Sequence, residues 1–125
     1  MKAFFKKGTD TPQKLLVGFE GMKYNKKGVA IENEATFHRV YGAFAACRVC
    51  DFDQVGGYNT LMSGWGYKDN DFRNRMVKAG AKEQVLPHRY NHLWHPSSVD
   101  LNSDARNRHL SKITYFDGVK WKIRN

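Results

Sequence analysis

Apolar residues along the chain gather in short runs rather than in long amphipathic repeats, and each run predicts a small element. Lys14-Leu15-Leu16-Val17-Gly18-Phe19 predicts a short buried strand. Val29-Ala30-Ile31 and Ala35-Thr36-Phe37 predict further extended pieces across a turn at Asn25-Lys26-Lys27-Gly28, whose asparagine and glycine suit a tight reversal. Tyr41-Gly42-Ala43-Phe44-Ala45-Ala46-Cys47, small and apolar, predicts a strand buried on both faces. Asp51 to Val55 predicts a short helix stopped by Gly56-Gly57. From Asp69 to Ala79 the residues Phe72, Met76 and Ala79 recur at helical spacing, and Gly80 ends the pattern. Lys82 to Leu86 predicts a strand ending at Pro87, and the alternation from Arg89 to Pro96 a second one. Asp100 to Ile113 reads as a polar loop leading into a short helix, and Val119-Lys120-Trp121-Lys122-Ile123 as a closing strand. The fold class is therefore α+β, a small mixed sheet with two or three short helices. Residues 1–125 form one domain, with residues 1–12 as a flexible polar arm.

Composition fits that picture and adds a charge. At 125 residues, 41% hydrophobic and 14% aromatic, the chain can pack one core, but it is small for an enzyme that holds two substrates. No apolar run approaches the ~20 residues that span a bilayer, and Met1 to Lys7 is too short and basic for a signal peptide, so a cytoplasmic protein is expected. The formal charge of +9 favours polyanionic partners. The cations are scattered in short clusters and no nucleic-acid module signature is present, so nucleic acid is not the expected partner.

The residues that suggest chemistry lie in Gly64-Trp65-Gly66-Tyr67-Lys68-Asp69-Asn70-Asp71. Two glycines around a tryptophan let the backbone bend and present a flat ring, and the carboxylates sit where a helix N-terminus favours negative charge. A ring beside a carboxylate is a way to hold a sugar; the structural alternative makes Trp65 a core anchor and Asp69 or Asp71 a helix cap. His88, His92 and His95 fall close together, and imidazole is a ready ligand for a divalent metal. On a regular strand His92 and His95 cannot both point the same way, so one ligand is expected. Asp51-Phe52-Asp53 looks like a metal-binding pair, yet two residues apart on a helical turn its carboxylates diverge. Cys47 and Cys50 have redox-pair or half-zinc-site spacing, but reduced, buried structural thiols are the expected reading.

Taken in order, Gly42-Ala43-Phe44-Ala45, Val55-Gly56-Gly57-Tyr58-Asn59, the tryptophan turn, Asn74-Arg75-Met76 with Gly80, and His92-Leu93-Trp94-His95-Pro96 form a set. This set resembles the C-terminal half of GT-A glycosyltransferases of the β-1,4-galactosyltransferase and chondroitin-polymerase type over residues 41–96. The resemblance implies an acceptor-side half in which Trp65, Gly66, Tyr67 and Lys68 hold the acceptor sugar and Asp69 is the general base. It implies Mn²⁺ bound at His95, with His92 the second choice, on the diphosphate of a UDP-sugar, and a glycan as acceptor. Lys68 departs from the family, which usually carries an acidic residue before the base. About forty residues precede the resemblance, too few for the family's donor-binding half with its D-x-D motif, so a separate donor-binding chain is an expected partner. Two other readings stand beside the transferase: a non-catalytic carbohydrate- or nucleotide-binding module, and a basic scaffold or nucleic-acid-associated protein.

Overall fold

The computed structural model of the chain describes residues 13–31 and 45–125. The predicted arm over residues 1–12, the extended piece at Ala35-Thr36-Phe37 and the Gly42-Ala43-Phe44 motif lie outside the described residues. The architecture is α+β. A three-stranded mixed sheet has the order β2-β1-β3, with β1 at Leu15–Tyr24, β2 at Ala30–Ile31 and β3 at Lys82–His92. A separate two-stranded hairpin pairs β4, Thr114–Phe116, with β5, Trp121–Ile123. The helices are α1 at Val49–Gln54, α2 at Lys68–Lys78 and α3 at Leu101–Ile113. No helix among the described residues is long and apolar enough to cross a membrane.

The predicted turn forms as expected. The Asn25 side-chain oxygen accepts from the backbone N–H of Lys27 and of Val29, both at 2.9 Å, and Gly28 takes φ +80°, closing β1 onto antiparallel β2. The first strand runs well past its predicted end at Phe19, because β3 pairs with it in parallel along nearly its whole length. The two strands expected on either side of Pro87 are one. Between Phe19↔Leu86 and Glu20↔Arg89 the register skips Pro87 and His88, so the residue without an N–H falls in a bulge of a strand at the end of the sheet order. The strand expected at Tyr41–Cys47 is not formed where it is described: Ala46 makes only an isolated bridge to Val17, and Ala45 and Ala46 are exposed.

Parallel pairing requires a long crossover, and that crossover carries α1 and α2. Phe72 and Met76, four residues apart on α2, meet Leu16 of β1 and Ala81 in the buried core, with Phe52, Val55 and Val85 packed against them. Helices α1 and α2 end alike. Gly56 and Gly57 donate to Asp53 O and Phe52 O, and Gly80 and Ala81 donate to Val77 O and Met76 O, the paired bonds of a glycine-terminated helix. The side chains of Lys14 and Gln13, just ahead of β1, donate to the carbonyls of Ala79 and Gly80 and fasten the end of α2 to the sheet.

The stretch expected to be a polar loop leading into a short helix, Asp100 to Ile113, is almost entirely helix α3. Asp100 caps it, its carboxylate accepting from Asn102 N at 3.0 Å and Ser103 N at 3.2 Å. The buried residues of α3 are Ser103 and Asn107, so the helix has a polar inner face that apolar periodicity does not detect. Asp100→Ala is expected to lower stability by about 1 kcal/mol, measured by urea denaturation, through loss of this cap.

Candidate functional site

The tryptophan turn leads directly into α2 and lies against the first turns of α3. Gly64 has φ +73° and Gly66 φ +103°, and Tyr67, the N-cap of α2, has φ +64°, the left-handed conformation that a bulky residue rarely adopts. Glycine is required at 66: a Cβ there would stand 2.9 Å from the Asp104 Cα, a backbone atom of α3. A Cβ on Gly64 would collide with the Ser103 side chain.

Asn107 holds the turn in place. With 0% of its surface exposed, it donates through Nδ2 to Ser63 O at 3.0 Å and Gly66 O at 2.9 Å, bracketing the bend. Arg106 also donates to Ser63 O, and the Arg108 guanidinium sits 4.6 Å from the centre of the Tyr67 ring while pairing with Asp104 at 3.2 Å. These contacts stabilise a left-handed Tyr67 that would otherwise cost about 1–3 kcal/mol, typical of strained residues at binding sites.

The result is a cleft of about 520 Å³ lined by Trp65, Gly66, Tyr67, Lys68 and Asp69 from the turn, Asp104 from α3 and Ser98 from the segment before it. Trp65 is 39% exposed, which removes the reading of this ring as a core anchor. Neither aspartate caps α2, since Tyr67 occupies that position without a side-chain bond. The two carboxylates also part company. Asp71 is buried and bonds Arg75 Nε at 3.0 Å, whereas Asp69 has no ion-pair partner among the described residues. Asp69 is exposed overall, but desolvation of its carboxyl against the cleft wall pushes it above its ordinary value, with the charge of neighbouring Lys68 opposing the shift. Tyr58, whose ring packs 4.8 Å from that of Phe72, is pushed up by burial and then by the charge of Asp69.

His92 closes β3, and the irregular stretch after it brings His95 back, so that the two Nε2 atoms stand 3.2 Å apart. The expectation that they diverge assumed a strand continuing to Pro96; it stops at His92. His95 Nδ1 lies 2.9 Å from Pro96 O, and a carbonyl only accepts, so Nδ1 carries the hydrogen. In the neutral ring Nε2 of His95 then offers its lone pair. His95 is not among the residues lining the tryptophan cleft; Ser98, three residues on, is.

The family described as the N-terminal domain of galactosyltransferase matches residues 28–96, more than half of the chain. The chain belongs to this galactosyltransferase family. No solved structure matches it. The matched stretch of the galactosyltransferase domain carries the tryptophan turn, α2 and the two histidines, while Ser98, Asp104 and Asn107, which complete and hold the cleft, lie beyond it.

Two other motifs of this galactosyltransferase domain form no metal cluster among the described residues. Asp51 is buried and held by Arg48 at 2.8 and 3.0 Å, while Asp53 is exposed, so the two carboxylates do diverge. Cys47 and Cys50 are free thiols, but only Cys47 is partly buried; Cys50 is exposed because it stands on the outward side of α1, and the expectation of two buried thiols fails there. Among the described residues no group of three or more His, Cys, Asp or Glu surrounds a common point. The His88 side chain falls outside the described residues.

Proposed function

We propose that the domain is the acceptor-side half of a metal-dependent nucleotide-sugar transferase of the GT-A type, corresponding to the C-terminal half of such enzymes. The observation that carries this reading is that the Trp65 ring and the Asp69 carboxylate line one cleft, in a chain of galactosyltransferase descent. Trp65 offers a flat apolar face for the C–H face of an acceptor sugar, and the Gly66 and Tyr67 backbone and Lys68 border the same space. Asp69 accepts the proton of the acceptor hydroxyl as that oxygen forms its bond to the anomeric carbon. A carboxylate with a raised pKa holds that proton better than an ordinary aspartate.

His95 is the favoured protein ligand for Mn²⁺, because its Nδ1–H bond to Pro96 O turns its Nε2 lone pair toward His92 Nε2, 3.2 Å away, where an ion would replace the hydrogen between the two rings. The two imidazoles would hold the ion only in part and would leave its remaining ligands to the donor. Bound there, the ion supplies charge neutralisation to the diphosphate leaving group of a UDP-sugar. The donor itself is assigned to a unit outside these residues, on the same or a separate chain.

Binding of a neutral oligosaccharide acceptor, followed by nuclear magnetic resonance on the Trp65 and Asp69 signals, tests the reading. Trp65→Ala is expected to weaken that binding by about 10-fold, the scale of a lost aromatic platform. Shifts confined to residues away from the turn, or equal affinity in the variant, would sink the acceptor role.

A further inference from the structure

A second cleft of about 510 Å³ lies at the other end of the helices, between the last turns of α2 and α3 and the β4–β5 hairpin. Asp71 and Arg75 line it as an internally neutral pair, with Arg75 Nη1 also donating to Val55 O at 2.6 Å. Three further cations line it, Lys78, Lys112 and Arg124, all exposed. Among the described residues none of the three has an ion-pair partner. Lys78 and Lys112 also complement the negative ends of their helices, which explains each lysine separately. It does not explain Arg124, which follows β5 and belongs to no helix, nor why all three open onto one concavity.

The aromatic rings there are already engaged. Trp121 is buried under the Arg75 guanidinium, 4.5 Å from its ring centre, and its Nε1–H donates to Gly56 O. Phe116 packs on Trp121 and lies where a Gly56 Cβ would stand, and the Arg124 guanidinium lies 4.9 Å from the Tyr115 ring centre. None of the three presents two open faces, so charge rather than base stacking dominates what the cleft recognises. A concave site with one sign of charge concentrates counter-ions of the other, and guanidinium and ammonium groups favour oxyanions.

We infer that this cleft binds a ligand carrying two or more oxyanion groups through Lys78, Lys112 and Arg124. The inference concerns a different end of the α2–α3 pair from the tryptophan cleft and does not depend on sugar transfer. Such groups come either on a small phosphate compound or along an acidic glycan. Calorimetry with inorganic pyrophosphate and with a heparin-derived hexasaccharide separates these sources, with maltohexaose as the neutral control. The Lys112→Ala/Arg124→Ala variant is expected to bind the true class at least about 10-fold more weakly, since it removes two of the three charge-assisted contacts. A charge-matched Lys26→Ala/Lys27→Ala variant at the remote β1–β2 turn is expected to bind within 2-fold of the native chain. Lys78→Gln, at an exposed position, repeats the test if the double variant does not fold. Pyrophosphate binding lost only in the cleft variants supports a small phosphate ligand, and hexasaccharide binding alone, lost in the same variants, supports an acidic glycan. Absence of binding to both probes, or equal loss in the cleft and turn variants, overturns the inference.

Discussion

Asp69→Asn is expected to lower transfer to the acceptor by about 10²- to 10⁴-fold while leaving acceptor affinity nearly unchanged, the signature of a lost general base. The amide keeps the size and hydrogen-bonding reach of the carboxylate but cannot take the proton. Transfer rates measured with the donor-binding unit present, and acceptor binding measured on the same preparation, separate the two. The raised pKa adds a second readout. Because burial favours the neutral form of Asp69, the acid limb of the native rate profile is expected above the ordinary aspartate value of 3.8. The same shift has a definite sign for stability. A group whose folded pKa is raised contributes fully below its unfolded pKa and loses that contribution as pH rises through the folded value. At neutral pH the ionised carboxylate is therefore a small burden, and Asp69→Asn is expected to unfold no more easily than the native chain, with any gain vanishing in acid. Lost turnover together with undiminished stability marks a functional group; a purely structural aspartate would lose stability instead.

Gly66→Ala is expected to cost about 2–4 kcal/mol in urea denaturation and to abolish acceptor binding. Part of this is backbone strain at φ +103°, on the order of 1–3 kcal/mol for an L-residue, and the rest is the contact between the new Cβ and the α3 backbone. The Asp104 carboxylate tip could swing aside, but its Cα is α3 backbone and cannot. Gly28→Ala is the internal comparison, because Gly28 has φ +80° but open space around it. That variant is expected to lose only about 1 kcal/mol, from strain alone. Similar losses at both positions would show that the approach of α3 to the turn contributes nothing.

Much of the scaffold was legible because its signals are local. The Asn25–Gly28 turn, the glycine ends of α1 and α2, and the Phe72/Met76 stripe each follow from a few neighbouring residues, and each formed where expected. The elements that differ depend on distant partners. Pro87 reads as a strand end until β1 is seen to tolerate a bulge opposite it. Helix α3 has no apolar signature because its buried face is serine and asparagine, and the partners of Asn107 are carbonyls in another part of the chain. For the same reason the sequence pointed to Trp65 through Asp69 as one side of a cleft but not to Asp104 or Ser98, which reach it only through the fold. The spare β4 strand, three residues long, is defined by its pairing to β5 rather than by any pattern of its own.

The amide of Asn107 joins two carbonyls that lie more than forty residues earlier in the chain. A recombinant fragment cut at residue 96, where the family match ends, would contain the tryptophan, the carboxylate and both histidines. It would lack the helix that dictates how Gly64 to Tyr67 bend. Such a fragment is expected to carry the right side chains on an unconstrained loop, so the smallest useful piece for expression or grafting extends through Ile113.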